Sequence, residues 1–335
     1  MSSIKGNEGG VAARVHDTMP PLSRFDGSIF ITGHTNPDGD CIGACFALAL
    51  ALRQMGKFPM IVLEEFSSRF DFLSGHEFLY KGCVSDIDKI DVLFCLDCAA
   101  VERLGIARPL VAKADLVVNI DHHASADERE PFADINIIES KAAAACEILY
   151  EILVQNGVEI TKNIAEALYV GILTDTGCFR HPTTTPKLHR IAAALHETGI
   201  DFSDVQQRVV YDQTPVEAAA FSAAIASTKI HDDMKIATAF LTYDDMQRIG
   251  AKPMDLEGIV GYIRSIKNVE IAAFFSEREK GKVHISLRSK TKSVREIAAR
   301  LDGGGHDQAA GCRFVGNVKE AIAAVLSLAR ELYGN

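Results

Sequence analysis

The sequence predicts an α/β fold. A first domain carries a mostly parallel sheet flanked by helices, and a smaller mixed α/β domain follows it. Three observations carry this prediction. Through the first 200 residues, apolar runs of strand length alternate with longer runs of helix length. The strand-like runs end in turns rich in Gly, Asp and Asn. Beyond about residue 200 the alternation breaks, and several strand-like runs follow with short helices between them.

The elements follow in order. Ser28–Gly33 is a short apolar run ending in a turn, a buried strand. Asp40–Met55 is apolar on most faces and closes at Gly56, a buried helix with glycine just past its end. Phe58–Leu63, Asp91–Leu96, Leu116–Ile120 and Ile135–Ile138 read as further strands, and Ala142–Gln155 and Ile164–Leu173 as helices. Asp201–Asp212 reads as a polar connecting helix, followed by a break at Thr214-Pro215. Lys235–Leu241, Val269–Phe275 and Val283–Leu287 are strand-like, separated by helical stretches at about 255–265, 294–301 and 318–332. The expected division is a mobile tail at 1–20, a first domain at 21–200, a linker at 201–216 and a second domain at 217–335.

Composition narrows the class. Hydrophobic residues make up 47% and charged residues 24%, a globular balance that excludes a disordered chain. The formal charge of -10 argues against a protein that grips long duplex nucleic acid through broad basic patches. It leaves room for a small or metal-bridged phosphate ligand. Residues 1–21 lack the apolar segment of a secretory signal, and Cys41–Leu52 is too short to span a bilayer, so a cytoplasmic protein without membrane partners is expected. Most of the eight cysteines lie in apolar stretches, as reduced thiols do. Cys95 and Cys98 form a C-x-x-C, which reads as a redox pair, as half a zinc site, or as two small residues near a strand end; without a second such pair, the last is favoured.

The ends of the expected strands carry the chemistry. The first is followed by His34, Asp38 and Asp40, the third by Asp97, and the fourth by Asp121-His122-His123; the helix at 164–173 runs into Asp175. In an open parallel sheet, ligands bind beyond the carboxyl ends of the strands, so these residues share one edge. Four carboxylates, Asp38, Asp40, Asp97 and Asp175, match the charge of two divalent cations, and His34 and His122 add neutral nitrogen. Mixed imidazole and carboxylate ligation suits Mn²⁺, with Mg²⁺ or Co²⁺ as other choices. Each residue also has an ordinary role. Asp40 could be only a helix N-cap, Asp97 a strand end and Asp175 a helix end. All of these together would leave the paired histidines unexplained. In the second half, Gly303, Gly304 and Gly305 precede His306. Consecutive glycines can form a backbone nest for an anion, or simply a surface turn. Arg288 could add a planar fork to the same anion. Arg180 and Arg264 are weaker candidates and could be ordinary surface arginines, and His76, His181, His189 and His196 read as ordinary histidines.

NPDGD, DHH and GILTDTG in this order, with SLRSK and GGGHDQAAG after them, resemble the motifs of the DHH phosphoesterase superfamily and its DHH-associated C-terminal domain. The resemblance spans about residues 25–316. Within the superfamily it is nearest to the NrnA-type short-RNA hydrolases. It implies an active site in the cleft between a DHH domain and a substrate domain. One metal would take His34, Asp38 and Asp97. The other would take Asp40, Asp97, His122 and Asp175, with Asp97 bridging. His123 would act near the scissile phosphate, with Asp97 and Asp121 as catalytic support. Arg288, Gly303, Gly304, Gly305, His306, Arg180 and Arg264 would bind substrate. Asp302 departs from the pattern, standing where many relatives have a fourth glycine. The implied activity is hydrolysis of very short oligoribonucleotides to mononucleotides, together with dephosphorylation of 3′-phosphoadenosine 5′-phosphate, in a homodimer. A stand-alone cyclic- or linear-dinucleotide phosphodiesterase is the alternative within the class; a nucleotide-binding regulator that no longer cleaves is the alternative outside it. Family II pyrophosphatases carry a Lys- and Arg-rich motif instead of GGGH, and RecJ-type exonucleases carry additional domains.

Overall fold

The computed structural model describes residues 19–123, 132–231, 233 and 235–333, and of His306 only the backbone. Apart from its last two residues, the tail expected at 1–20 lies outside the described residues. The chain divides into two compact units, Met1–Asp212 and Gln213–Asn335.

The first unit holds β1 (Ile29–Thr32), α1 (Gly39–Gln54), β2 (Pro59–Val62), β3 (Ile90–Leu96), β4 (Ala114–Asp121), β5 (Ile135–Ile138), α2 (Ala145–Gln155), α3 (Lys162–Asp175), α4 (Pro186–Glu197) and α5 (Phe202–Gln206). Its strands form one sheet in the order β2-β1-β3-β4-β5, and every pairing is parallel. Side chains alternate between the faces. Ile29, Ile31, Phe94, Leu96, Val118 and Ile120 join the core with α1, α2 and α3. Phe30, Leu93, Cys95 and Val117 pack instead on Leu104, Ala107 and Leu110. Burial on both faces is why β3 reads as a continuous apolar run.

The sheet is thus flanked by helices as expected, the second face being covered by a 3₁₀ run, Val101–Lys113. Gly105 breaks it with φ 51°, and Pro109 lacks the N–H of a regular helix.

Helix α1 is buried on nearly every side. It lies against α3 so closely that a Cβ on Gly43 would sit 2.3 Å from the Ala167 carbonyl oxygen. Only glycine permits that approach. Helix α4 was not foreseen; Thr185 caps it and Pro186 opens it. Helix α5 and the π-turn Gln207–Tyr211 occupy the expected connecting helix.

The second unit holds α6 (Pro215–Ala226), β6 (Lys229–His231), β7 (Ile236–Leu241), α7 (Tyr243–Ile249), α8 (Ile259–Ser265), β8 (Ile271–Glu279), β9 (Lys282–Ser289), α9 (Val294–Ala299), β10 (Gly304–His306), β11 (Ala309–Val315) and α10 (Val318–Tyr333). Its sheet runs β10-β11-β9-β8-β7-β6, with β7 and β8 parallel and the other pairs antiparallel. Ile271, Ala273, Phe275, Val283, Ile285 and Leu287 face α9 and α10. Ala237, Ala239, Ala272 and Phe274 face α6, α7 and α8. Thr214-Pro215, read as a break, is the start of α6: Thr214 and Glu217 form a capping box. The glycine run enters a strand. Gly304, Gly305 and His306 pair with Gly311, Ala310 and Ala309 as a short antiparallel hairpin. Among the described residues, no helix is long and apolar enough to cross a membrane.

Candidate active site

In the first unit β1 lies between β2 and β3, so the connections leaving β1 and β3 part in opposite directions. Such a switch point opens a crevice at the carboxyl ends of the two strands. His34, Asp38 and Asp40 follow β1, Asp97 follows β3, and Asp121 ends β4 ahead of His122 and His123. Asp175 arrives from the last turn of α3.

Asp97 is central. Its Oδ2 lies 3.3 Å from His34 Nε2, and its Oδ1 lies 3.4 Å from His122 Nε2 and 3.5 Å from His123 Nδ1. His34 Nε2 is also 3.7 Å from Asp38 Oδ1. His122 Nε2 is 2.9 Å from Asp175 Oδ2 and 3.8 Å from Asp40 Oδ2. All six expected ligand positions therefore converge. Three overlapping groups could each hold a metal ion: His34, Asp38 and Asp97; Asp40, His122 and Asp175; and Asp97, His122 and His123.

The backbone fixes each carboxylate. Asp97 has φ 53°, a left-handed conformation that lifts its side chain off the end of the strand, and its N–H donates to the Ile120 carbonyl. Asp38, not Asp40, caps α1, accepting from the N–H groups of Asp40 and Cys41 at 3.1 Å. Asp40 is fully buried and accepts from Ala145 N at 2.5 Å and Cys146 N at 2.9 Å. It thus supplies the cap that Ala144 cannot give to α2, where the helix dipole favours a negative charge. Asp121 Oδ1 accepts from His122 N at 2.8 Å and lies 2.6 Å from His123 Nδ1, which sets the orientation of that ring.

Burial and mutual charge set the ionisation. Burial alone would discharge His122, but Asp175, Asp97 and Asp40 overcome it and push its pKa up to about 12. Burial likewise opposes charge on His34, and Cys41, Asp38 and Asp97 overcome it, raising the pKa well above the usual value. Asp97 is held below the carboxylate range because His122 and His34 outweigh its burial. Burial first, then Asp97 and Asp175, raises Asp40. Burial also raises Asp175, with Asp38 and Asp97 adding to it against His122. Asp97 Oδ1 and Asp121 Oδ2 are buried without a hydrogen-bond partner. The orphaned Asp97 oxygen, beside His122 and His123, fits a cation, which would supply the missing contact.

Arg180 also lies in the first unit, exposed, its Nε donating to the Gly177 carbonyl at 2.6 Å. The remaining candidates lie in the second unit. Arg264 reaches the Ser289 carbonyl at 3.4 Å, and Arg288 reaches the Leu287 carbonyl at 3.0 Å. Burial, then the neighbouring Arg264, lowers the Arg288 pKa. Asp302, at φ 54°, sits in the left-handed position that ends α9, and Gly303 N donates back to Ala298 at 2.8 Å. Cys95 and Cys98 are free, buried thiols, and burial pushes Cys98 up to about 12, as inert core cysteines require.

Two known domains match the chain: the DHH family N-terminal domain over residues 28–172 and the DHHA1 domain over residues 233–334. A protein of Thermus thermophilus, named bifunctional oligoribonuclease and PAP phosphatase NrnA, is 32% identical over 92% of this chain and 91% of its own length. The chain belongs to the DHH family. A Bacillus subtilis protein of the same name is 26% identical over 87% of this chain and 90% of its own. The crystal structure of an exopolyphosphatase-related protein from Bacteroides fragilis superposes with a TM-score of 0.86 at 27% identity, covering 96% of each chain.

As a DHH-family protein the chain is a metal-dependent phosphoesterase, a hydrolase. Two supports of the DHH-family site escaped the sequence reading. Gly171 packs so tightly that a Cβ there would lie 2.6 Å from Asp40 Oδ1 and 2.3 Å from Cys146 Sγ. Its signal was a glycine inside an apolar helix. His181, read as ordinary, has its Nδ1 2.8 Å from the Asp175 carbonyl; nothing local in the sequence announced that pairing.

Proposed function

We propose that the chain is a two-metal phosphoesterase that cuts very short oligoribonucleotides to mononucleotides and dephosphorylates 3′-phosphoadenosine 5′-phosphate. The observation that carries this reading is Asp97, whose two oxygens face two separate histidine–carboxylate groups. The names of the Thermus and Bacillus relatives support the substrate class. His34, Asp38 and Asp97 would hold one Mn²⁺, and Asp40, Asp97, His122 and Asp175 the other. Bound divalent cations would acidify water and neutralise charge on the phosphoryl oxygens. His123, oriented by Asp121, would donate a proton to the leaving oxygen or bind phosphate. Arg288 and Arg264, two neighbouring guanidiniums, would bind a substrate phosphate in forked geometry together with His306 and the hairpin of Gly303, Gly304 and Gly305. Arg180 would join them as a weaker contact. A homodimer in the cytoplasm belongs to the same reading.

The test is hydrolysis by the Mn²⁺-loaded chain of an RNA dinucleotide, 3′-phosphoadenosine 5′-phosphate, pyrophosphate and a cyclic dinucleotide, with Asp97→Asn as control. Cleavage of the first two, with pyrophosphate untouched and Asp97→Asn inert but folded, is expected. Turnover of pyrophosphate or the cyclic dinucleotide alone refutes the substrate assignment. Full activity in Asp97→Asn refutes the shared-carboxylate role.

A further inference from the structure

We propose that His181 is a positioning residue whose ring clamps the main chain of Asp175, so that the Asp175 carboxylate stays aimed at its metal group. The inference rests on the reading of Asp175 as a metal ligand. Helix α3 closes in a Schellman motif. Gly177, left-handed at φ 54°, donates its N–H to the Thr174 carbonyl at 3.0 Å, and Cys178 N donates to the Leu173 carbonyl at 2.8 Å. Thr176 N donates to the Ile172 carbonyl at 3.2 Å. This pattern leaves the Asp175 carbonyl, in the last turn, with no backbone donor among the described residues. The His181 ring supplies one, with Nδ1 2.8 Å from that oxygen. A carbonyl only accepts, so Nδ1 carries the proton.

The chain is bent to deliver this ring. Cys178 and Phe179 stay left-handed, at φ 61° and 60°, a conformation that residues with a Cβ rarely adopt. Such strain persists only where the surroundings impose it. Here Thr176 imposes it. Its buried hydroxyl donates to the Ile172 carbonyl at 2.6 Å and accepts from Phe179 N at 2.9 Å. Its carbonyl accepts from Arg180 N at 2.9 Å and His181 N at 3.0 Å. The Phe179 ring stacks on His189 of α4, 5.4 Å away. The His181 ring lies against Gly177, where a Cβ would stand 2.7 Å from Nε2. Asp175 needs such a hold. His122 Nε2 draws its carboxylate inward at 2.9 Å, while Asp38, Asp97 and the negative end of the α3 dipole all oppose its charge. Fixing the carbonyl of the residue fixes the direction of its Cα–Cβ bond, and so the aim of the carboxylate.

The experiment compares the full chain with His181→Ala, His181→Asn, His181→Gln and Gly177→Ala. The Asn amide reaches the place of Nδ1, the Gln amide that of Nε2, and the alanine at 177 pushes the ring away without deleting it. The His181 contact is exposed, so its variants are expected to fold, with melting lowered by no more than about 4 °C. Calorimetric titration is expected to show Mn²⁺ binding weakened about tenfold in His181→Ala and Gly177→Ala, the low end for loss of a group that orients a ligand. His181→Asn is expected to restore it to within about threefold, and His181→Gln is not. At limiting Mn²⁺, kcat for an RNA dinucleotide is expected to fall with the affinity, while KM stays within about twofold. Unchanged Mn²⁺ affinity in His181→Ala overturns the proposal. So does rescue by Gln in place of Asn, or a rise in KM alone, since either makes the ring a substrate contact. If the unaltered chain binds no Mn²⁺, the metal reading fails, and amide exchange in the cation-free chain decides the clamp. Faster exchange at Gly177 and Cys178 in His181→Ala than in His181→Asn supports it, and equal exchange overturns it.

Discussion

Replacing Gly171 by alanine tests whether the close approach of α3 to α1 is what positions Asp40. By helix propensity alone the change is favourable by about 0.8–1.0 kcal/mol. Packing opposes it. The new Cβ would stand 2.6 Å from Asp40 Oδ1, 3.0 Å from Asp40 Cα and 2.3 Å from Cys146 Sγ, where ordinary contact begins at 3.4 Å. Asp40 must therefore retreat by about 0.8 Å, or α3 must move. Overpacking of this kind costs about 1–3 kcal/mol, so the net loss of stability is about 0–2 kcal/mol. For a unit of this size the melting temperature falls by no more than about 8 °C.

The functional loss is the larger effect. Asp40 is tied to Ala145 N and Cys146 N and faces His122, so its displacement disturbs one whole ligand group. Misplacing a catalytic group by about 1 Å costs up to about 10²-fold in turnover. The assay pairs thermal unfolding with Mn²⁺-dependent hydrolysis of an RNA dinucleotide. Adding Cys146→Ala removes the nearest obstacle and is expected to restore most of the stability. It leaves the Asp40 contact in place, so turnover is expected to recover only in part. A Gly171→Ala chain with unaltered turnover and metal affinity refutes the reasoning.

Three further outcomes are expected. His34 and His122 have raised pKa values in the cation-free site, because their carboxylate neighbours outweigh burial, so both are protonated at pH 7. Their contribution to the cation-free fold is present below pH 6.5 and is lost only as pH rises through the raised values, near about 12 for His122. Cation binding must then release protons. Mn²⁺ titrations at pH 7 in buffers of different ionisation enthalpy are expected to show release of about two protons, and no release refutes the assignment of these histidines as ligands. His284 is the opposite case. Burial, then Arg278 and Arg313, lowers its pKa to about 4, so its contribution is full above pH 6.5 and is lost as pH falls towards 4. The resistance of the second unit to unfolding is expected to fall as pH drops across that window, and His284→Gln is expected to flatten the profile. Asp302→Gly relieves a left-handed φ of 54°, worth about 1–2 kcal/mol, against the entropy of a new glycine of about 0.5–1 kcal/mol. A gain of up to about 1.5 kcal/mol in chemical denaturation is expected, and a loss contradicts the capping account.

The parts of the fold that were legible are those whose signal is local. The strands β1, β3 and β4 show as apolar runs, and the residues following them are Asp and His by identity alone. Two helix starts were lost because one signal has two meanings. Thr185-Pro186 and Thr214-Pro215 resemble loop punctuation, yet each is an N-cap followed by proline at the first helical position, where the missing N–H costs nothing. The strand formed by Gly304, Gly305 and His306 was not legible either. A glycine run marks loops when its partner strand is unknown, and the pairing with Ala309–Gly311 is a property of register, not composition.

Asp38 and Asp40 show where local reading must stop. Both lie in one turn, both are acidic, and either suits an N-cap. What separates them is 105 residues away: the unsatisfied N–H groups at the start of α2 claim Asp40, which leaves Asp38 to cap α1. The same contact gives Asp40 two jobs. It closes a helix in the core and turns a carboxylate oxygen toward His122. A site built this way cannot be loosened without loosening the packing of α1, α2 and α3, which is why a methyl group at Gly171 is expected to be felt at the candidate metal ligands.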